Sequence, residues 1–252
     1  MIKNIQWVLI FIASILHGEI KELFSEEQME GKNFIQFYHR TDSYGTHQPV
    51  LYEMSCKTDG PIIEFGCGYN STDLLHEVCK KNRRLLISVD DNQEWLEKFS
   101  QKYLGDGYEK DNSGWHKFFF VPGVSMEDRE NCNHWITFLD NTPLLNDIHF
   151  DLCFVDQSPW QARLETIKRF RSKSKYIILH DCDYFPENNI AGKTIVPMNY
   201  TANIAGVYAF DDIIRHFKIY YPVKPWPYPS GPPTLLGSDY ESVFPEIDYN
   251  NY

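Results

Sequence analysis

The sequence lacks the patterns by which several classes of protein are identified. Its six cysteines, at positions 56, 67, 79, 132, 153 and 182, form no CxxC pair and show no zinc-ligand spacing. Basic residues are scarce, with 24 Lys and Arg against 35 Asp and Glu and a net charge of −11. Binding to nucleic acid needs a basic face that neutralises phosphates. The charge therefore disfavours a nucleic-acid substrate.

The chain also lacks an apolar run of the ~20 residues that span a bilayer comfortably. The run IQWVLIFIASIL, residues 5–16, has the length of a signal-peptide apolar region or of a buried helix, and no clean cleavage site follows near Gly18. We interpret residues 1–32 as an extension and residues 33–252 as one α/β domain with additions. We expect a cytoplasmic location, with export or membrane anchoring through residues 5–16 as the alternative.

One stretch, from Pro61 to Asp90, has the pattern of a strand, a glycine turn, a helix and a second strand. The run IIEF at residues 62–65 is typical of a parallel strand that is buried on both faces. Gly66 and Gly68 then allow a sharp turn whose backbone lies close to a ligand. The carboxylate of Asp90 follows the second strand and can accept both hydroxyls of a ribose. The stretch predicts the first half of a nucleotide-binding domain.

The glycine pattern distinguishes between nucleotide ligands. A dinucleotide fold needs a third glycine where the pyrophosphate meets the helix, but Ser71 follows Gly66 and Gly68 here. Glu64 precedes the turn by two residues, and a negative charge there repels a pyrophosphate but attracts a cationic ligand. The turn is therefore expected to bind a cationic ligand rather than NAD.

The motif IIEFGCGYNST resembles the first motif of the class I S-adenosylmethionine-dependent methyltransferases, an acid and any residue followed by Gly-any-Gly. Asn70 stands where many members have another glycine, and Asn tolerates positive φ. The resemblance implies an α/β fold with a Rossmann-like, doubly wound, mostly parallel seven-stranded sheet and an antiparallel last strand. It also implies S-adenosylmethionine as the cofactor, with Ser125 and Met126 beside the adenine ring. The expected cofactor-binding residues are Glu64, Gly66, Cys67, Gly68, Tyr69, Asp90, Asp91, Ser125, Met126 and Asp156.

Two later strands are predicted to end in ionisable residues. Residues 150–155, FDLCFV, precede Asp156, and the strand Tyr176–Leu179 precedes His180 and Asp181. Ligands of open parallel sheets bind at the carboxyl ends of the strands, although such residues also suit simple loop caps. An imidazole titrates near pH 6.5, in the range that proton transfer requires. His180 is therefore the candidate catalytic base, with Asp181 as the second catalytic residue that orients it or contacts the acceptor, and the two roles are interchangeable.

The same segments carry a second resemblance. FVDQSPWQAR and IILHDCDYF resemble a bacterial-type subgroup of small-molecule methyltransferases. They also resemble the metal-assisted O-methyltransferases, which place acidic ligands at these two strand ends. A third ligand is not evident in the sequence, so we expect no metal.

Two segments are expected to contact the acceptor. His47 lies in a turn-rich stretch that is a candidate to fold over the cofactor, although a lone histidine there is more often a surface or capping residue. The proline-rich residues 220–233 are predicted to connect the last two strands and to present Trp226 and Tyr228 to the acceptor. The alternative is a proline-rich surface loop without a role.

Hydrophobic periodicity predicts the remaining elements. The predicted helices are Gln93–Tyr103, Pro159–Arg171 and Phe210–Phe217. The predicted strands are Lys117–Val121, Lys218–Tyr221 and Thr234–Leu236.

These features predict an S-adenosylmethionine-dependent methyltransferase that methylates a small-molecule or glycan acceptor, on oxygen, without nucleic acid. Methyl transfer from a sulfonium needs an acceptor held in line and, for a hydroxyl, a base. The alternatives are a nicotinamide-dependent oxidoreductase, an aminopropyl transferase and a non-catalytic S-adenosylmethionine-binding module. The oxidoreductase would share the fold, so the site must distinguish them.

Overall fold

The computed structural model describes residues 44–123, 132–182, 213–222 and 232–249. Some sequence predictions lie outside the described residues, namely the apolar run at residues 5–16 and the residues Ser125, Met126, Trp226 and Tyr228. Within the described ranges, no helix combines the length and the hydropathy needed to cross a membrane.

The described residues form one seven-stranded sheet. Its strands are β1 (Ile62–Phe65), β2 (Leu86–Asp90), β3 (His116–Phe120), β4 (Phe150–Val155), β5 (Ser174–Leu179), β6 (His216–Tyr220) and β7 (Thr234–Ser238). The order across the sheet is β3-β2-β1-β4-β5-β7-β6, with β1 to β5 parallel and β7 antiparallel to both of its neighbours. This topology confirms the predicted sheet with an antiparallel last strand. It differs from the dinucleotide fold, whose strand order is 3-2-1-4-5-6.

Helices cover the sheet on both faces. They are α1 (Gln48–Cys56), α2 (Thr72–Lys80), α3 (Gln93–Lys102), α4 (Asn133–Asn141), α5 (Pro143–Asn146) and α6 (Trp160–Phe170), and a 3-10 turn at Gly45–His47 precedes α1. Asp73 and Lys80 lie in the first and last turns of α2, where their charges complement the helix dipole. At the start of α3 the Asn92 side chain accepts the backbone N–H of Trp95 at 3.1 Å, which caps the helix.

The core of the described residues has two large apolar layers, one on each side of the sheet, and a smaller cluster that includes Phe99 and Phe118. Successive strand residues point to opposite faces, and all four residues of β1 are buried. Ile62 packs in the layer that contains Leu51 of α1 and Leu74 of α2. Ile63 and Phe65 pack in the opposite layer, which also contains side chains of α4 and α6. The burial of both faces explains why the β1 sequence shows no polar alternation.

The predicted helix Phe210–Phe217 is wrong at its described end, because β6 begins at His216. Phe217 and Ile219 pack against one apolar layer and Tyr220 belongs to the other. A period of two is the pattern of a strand. Pairing with β7 along the whole length of β6 outweighs the local helical spacing.

Other strand limits differ from the predictions by one or two residues. β3 is displaced by one residue towards the N-terminus, because His116 pairs with the first residue of β2. β5 begins at Ser174, which pairs with Phe150, and not at Tyr176. Pairing partners therefore set these limits.

Gly66 lies where the turns after β1 and β4 approach each other. Its φ is +92°, and a Cβ at this position would lie 2.7 Å from the carbonyl carbon of Asp156 and 2.7 Å from the backbone nitrogen of Gln157. Gly68 is different, since a Cβ there would lie 3.7 Å from the Ser71 hydroxyl, an ordinary van der Waals contact. The fold therefore requires glycine at position 66 but not at position 68.

Gly66→Ala is expected to lower the free energy of unfolding by about 1–3 kcal/mol, because it combines a strained φ with a backbone clash. Gly68→Ala is the matched control and should change the free energy by no more than about 0.5 kcal/mol. Urea unfolding of the two variants measures both values. Equal losses would show that the close approach at Gly66 is not the constraint described above.

Candidate functional site

The carboxyl ends of four parallel strands bring the candidate residues to one rim of the sheet. Asp90 is the last residue of β2. Backbone hydrogen bonds fix the first residue beyond each of the other three strands on its neighbour: Gly66 N–H to Val89 O at 2.8 Å, Asp156 N–H to Phe65 O at 2.8 Å, and His180 N–H to Val155 O at 3.2 Å. The predicted gathering of these residues at one rim is therefore observed.

The turn after β1 closes directly onto α2. The carbonyl oxygen of Gly68 accepts the backbone N–H groups of Ser71 at 3.2 Å and Thr72 at 2.8 Å. In return, the Gly68 N–H donates to the Thr72 hydroxyl at 2.9 Å. These bonds satisfy groups that the start of a helix leaves without partners, and they hold the turn in one shape.

The carboxyl group of Glu64 is buried beside this turn. It has no exposed surface, and its two oxygens lie within hydrogen-bond distance of the hydroxyls of Thr72, at 3.1 Å, and Ser88, at 2.7 Å. Burial raises the pKa of Glu64 to about 8, because a charge is poorly solvated there. Glu64 thus lies beside the turn as predicted, but its carboxyl group is mostly uncharged at neutral pH.

Asp90 holds the turn from the side of β2. Its Oδ2 accepts the backbone N–H of Cys67 at 2.6 Å, and its Oδ1 accepts that of Asn92 at 2.7 Å. Burial raises the pKa of Asp90 to about 6. Each carboxylate oxygen has a second acceptor site, so Asp90 can hold the turn and accept ribose hydroxyls. Asp91 pairs with Nε2 of His134 at 2.9 Å.

An aromatic cluster flanks the turn. The ring of Tyr69, which is exposed, lies 5.2 Å from that of Trp95 and 5.4 Å from that of Phe99, measured between centroids. The Lys98 ammonium lies 4.7 Å from the Tyr69 centroid. The indole N–H of Trp95 donates to the carbonyl oxygen of Cys67, which ties the cluster to the turn.

His180 is buried between acceptor groups. Its Nδ1 lies 3.2 Å from Oδ1 of Asp156, and its Nε2 lies 3.6 Å from Oδ1 of Asp181 and 3.5 Å from the Thr46 hydroxyl. That hydroxyl donates its only proton to the carbonyl oxygen of Pro232 at 2.5 Å. Both ring nitrogens of His180 therefore face acceptors, which favours the doubly protonated imidazolium.

The charges of this pair follow from the same contacts. Burial disfavours the imidazolium of His180, but Asp156 outweighs burial and raises the pKa of His180 above its ordinary value. Burial likewise opposes ionisation of Asp156, yet the charges of His180 and Arg163 lower its pKa to about 2. The contact between the two side chains therefore favours the charged form of each.

Arg163 is a site residue that sequence reasoning missed. Its guanidinium lies 3.0 Å from Oδ1 of Asp156 and 3.3 Å from Oδ2 of Asp181, and it donates to the carbonyl oxygens of Gln157 and His180 at 2.8 Å each. One side chain from the first turn of α6 thus joins the ends of β4 and β5. The available signal was an arginine one turn into the helix that follows an acid-ended strand.

His47 is buried and is therefore not the surface histidine of the alternative interpretation, and although it occupies the N-cap position of α1 its side chain makes no capping hydrogen bond. Its Nε2 donates to the carbonyl oxygen of Asn70 at 3.2 Å, and its ring centroid lies 4.3 Å from that of His180. Burial, with the nearby charge of His180, keeps the pKa of His47 well below its ordinary value. The neutral ring then carries a lone pair on Nδ1, for which the described residues provide no hydrogen-bond partner.

Three of these residues bring potential metal-ligating atoms close together. One nitrogen from each of His47 and His180 and one oxygen of Asp156 lie within 4.8 Å of one another. The ligands of a tetrahedral zinc ion, at ~2.1 Å from the metal, lie about 3.4 Å apart, so spacing alone is compatible with a metal. The charges are not, because Arg163 and His180 already lie against Asp156 and would repel a cation. The arrangement therefore fits a metal ion poorly.

No protein-family model and no curated protein matches the chain. Solved structures with a similar fold include the O-methyltransferase TomG from Streptomyces achromogenes, with 14% identity, 87% of this chain and 94% of that chain covered, and a TM-score of 0.48. A methyltransferase from Podospora anserina has 11% identity, coverages of 90% and 94%, and a TM-score of 0.41. An rRNA methylase from Streptococcus thermophilus has 16% identity, coverages of 73% and 90%, and a TM-score of 0.38. Identities and TM-scores this low indicate a similar fold but not a function. The function therefore has to be argued from the geometry of the site.

Added zinc and added EDTA are both expected to leave the melting temperature unchanged, because Asp156 is already paired with His180 and Arg163. Differential scanning fluorimetry measures this directly. A zinc-dependent rise in melting temperature that His47→Ala abolishes would establish the three residues as a metal site. His149→Ala, which changes an exposed histidine, is the matched control.

Proposed function

We propose that the chain is an S-adenosylmethionine-dependent methyltransferase that transfers a methyl group to a hydroxyl of a small-molecule or glycan acceptor. The observation that carries this proposal is the presence, on one rim, of a glycine turn braced by Asp90 and of an acid-flanked histidine, His180. The first unit suits a nucleoside with a ribose, and the second suits removal of a proton. Both are needed for methylation of a hydroxyl.

The cofactor would lie on the turn at Gly66 and Gly68, with its ribose hydroxyls on Asp90. Gly68 supports this placement, because the fold itself does not require a glycine there. Tyr69 and the aromatic cluster offer an apolar flank to the adenosine, and Ser125 and Met126 keep the role that the family resemblance implies. Asp91 remains a proposed ribose contact because it follows Asp90 directly in the chain.

The proposed reaction is a single displacement. S-adenosylmethionine held at Gly66, Gly68 and Asp90 would supply the methyl group to the acceptor oxygen, and its sulfur would keep the electron pair of the carbon–sulfur bond. The hydroxyl proton passes to Nε2 of a neutral His180, while Asp156 holds Nδ1. The orienting role expected for Asp181 suits Asp156 better, because Asp156 is the closer acid and has the stronger influence on the pKa of His180.

His47 is proposed to position the acceptor. Its Nδ1 lone pair is buried and lacks a partner among the described residues, and an unsatisfied buried acceptor costs about 1–3 kcal/mol. A second hydroxyl of the acceptor, other than the one that is methylated, would remove the cost by donating to this nitrogen, and the acceptor would then lie next to His180. Trp226 and Tyr228 remain proposed acceptor contacts on sequence grounds.

The alternatives explain fewer features of the site. An oxidoreductase for nicotinamide cofactors would use the third glycine and the strand order of the dinucleotide fold, and the chain has neither. A non-catalytic module would gain nothing from the buried ion pair of His180 and Asp156, which is costly to desolvate. An aminopropyl transferase would use the same cofactor cradle, which is the turn at Gly66 and Gly68 together with Asp90. The mass of the product distinguishes this enzyme from a methyltransferase. The net charge of −11 favours a small acceptor over a nucleic acid.

Asp90→Asn is expected to weaken S-adenosylmethionine binding by about 1.5–3 kcal/mol, because the ribose loses hydrogen bonds to a charged group. Isothermal titration calorimetry measures the change. Asp91→Asn is the comparator and should cost less, since His134 already occupies the Asp91 carboxylate. A larger loss for Asp91→Asn would exchange the two assignments, and equal affinity for all three proteins would contradict the proposed cradle.

His180→Gln is expected to lower turnover by about 10²–10⁴-fold, as loss of a general base does, with cofactor affinity unchanged. In the wild type the base must be neutral, and Asp156 raises the pKa of His180. Turnover should therefore rise as the pH increases through a value above 6.5, the ordinary value for histidine. A pH–rate profile without this rise would show that His180 does not take the proton of the acceptor. His149→Gln is the control and should leave both the rate and its pH profile intact.

A further inference from the structure

A chain of buried polar groups leads from the cradle to the protein surface. Ser88 lies 2.7 Å from Oε2 of Glu64 and 3.0 Å from Nε2 of His116. Nδ1 of His116 lies 3.0 Å from Nδ1 of His76, and Nε2 of His76 lies 3.6 Å from Oδ2 of Asp106. The first four groups are fully buried, whereas the Asp106 side chain is 51% exposed.

The sheet register brings these groups together. Glu64 and Ser88 are direct partners in β1 and β2. Ser88 pairs with Phe118 in β3, so His116, two residues earlier, projects from the same face. His76 approaches from α2, which packs on that face.

The number of protons in this chain restricts it to two arrangements. Ser88 has one hydroxyl proton and makes two hydrogen bonds, so it donates to one neighbour and accepts from the other. If Glu64 is ionised, Ser88 donates to it and His116 donates to Ser88 from Nε2. His76 then donates from Nδ1 to His116, which leaves a bare lone pair on its Nε2 opposite the Asp106 carboxylate.

If Glu64 is protonated on Oε2, the oxygen that faces Ser88, every bond in the chain is reversed. Glu64 donates to Ser88, Ser88 to Nε2 of His116, and Nδ1 of His116 to Nδ1 of His76. His76 then carries its proton on Nε2, which points at Asp106. Nε2 of His76 has no hydrogen-bond partner at normal distance among the described residues, and a proton there relieves the contact between two acceptors. Geometry alone therefore favours the arrangement with protonated Glu64.

The surroundings keep both histidines neutral. Burial lowers the pKa of His76 to about 4 and that of His116 well below its ordinary value. The titratable or charged groups that influence the chain are Asp90 near Glu64, and Asp73, Asp106 and Lys80 near His76, with Tyr103 stacked on the His76 ring at 3.6 Å. A proton can therefore move along the chain without leaving an imidazolium behind.

We propose that Glu64, Ser88, His116 and His76 form a buried relay that exchanges a proton between the cradle and Asp106 at the surface, and that a cationic ligand in the cradle expels this proton. In the release direction, Glu64 gives its proton to Ser88, and the Ser88 proton passes to Nε2 of His116. The Nδ1 proton of His116 passes to His76, and the Nε2 proton of His76 leaves through Asp106 to water. One proton leaves, and only Glu64 changes charge.

The link to ligand binding rests on the proposed function, whereas the relay does not. A positive charge above Gly66 and Gly68 stabilises the ionised form of the carboxyl group beneath them. The sulfonium of S-adenosylmethionine carries such a charge, and the thioether of S-adenosylhomocysteine lacks it. The two ligands therefore form a matched pair that differs in the charge at sulfur.

The relay is tested by the ring tautomers of His116 and His76, read from the ¹⁵N chemical shifts of the full chain. Below pH 7 we expect the proton on Nδ1 of His116 and on Nε2 of His76, and both should exchange places as the pH rises through about 8, where Glu64 ionises. In Glu64→Gln the side-chain amide donates to Ser88 permanently, so the tautomers should stay fixed across this range. Tautomers of the wild type that do not respond to pH overturn the relay.

Ser88→Ala removes the central link, so His116 should no longer respond to the ionisation of Glu64. Ser174→Ala is the matched control, since Ser174 is a buried serine of β5 outside the relay. In this variant the tautomers of His116 and His76 should still switch with pH. If Ser88→Ala fails to fold, Glu64→Gln supplies the test. A switch that persists in folded Ser88→Ala would assign it to another group and overturn the proposal.

Proton release on ligand binding tests the second part of the proposal, that a cationic ligand expels the proton of Glu64. Calorimetry at pH 7 in two buffers of different ionisation enthalpy should show release of close to one proton with S-adenosylmethionine, markedly less with S-adenosylhomocysteine, and none from Glu64→Gln. Equal release with both ligands, or release that persists in Glu64→Gln, overturns the coupling. If neither ligand binds, the proposed function fails, while the pH-driven tautomer switch still decides the relay.

Discussion

The approach of two backbone turns, at Gly66 after β1 and at Asp156 after β4, is the constraint on which the rim depends. A left-handed φ and the absence of a Cβ allow Gly66 to lie against the backbone of Asp156 and Gln157. On one side of this contact, Asp90 braces the cofactor turn. On the other, Asp156 faces His180. The distance between the nucleoside cradle and the candidate base is therefore set by backbone packing and not by flexible side chains.

Two acids at this rim, Glu64 and Asp156, have different charge states because their neighbours differ. Glu64 is surrounded by hydroxyls, which share hydrogen bonds but bring no charge, so burial raises its pKa to about 8. Asp156 is partly exposed, and the charges of His180 and Arg163 lower its pKa to about 2. One acid can thus respond to the charge of a ligand, while the other stays ionised to hold the base.

Much of the fold and part of the site follow from the sequence. Buried strands, glycines and strand-end acids are local patterns, and they placed Gly66, Asp90, Asp156 and His180 on one rim. The helix predicted through Phe217 was wrong because pairing with β7 decides that segment, and pairing is not visible locally. The burial of His47 depends on His180, 133 positions away in the chain by the numbering. Contacts of this kind have no local signature.

The contact between Trp95 and the cofactor turn gives the protein an intrinsic optical reporter. Indole fluorescence depends on the polarity and the hydrogen bonding of the ring, and the Trp95 N–H is bonded to the carbonyl oxygen of Cys67, between the two glycines of the turn. Its ring also lies 4.9 Å from the Lys98 ammonium, which lies 4.7 Å from the ring of Tyr69. Any ligand that settles on the turn changes this environment, so occupancy of the cradle can be followed by the emission of the protein itself, without a label.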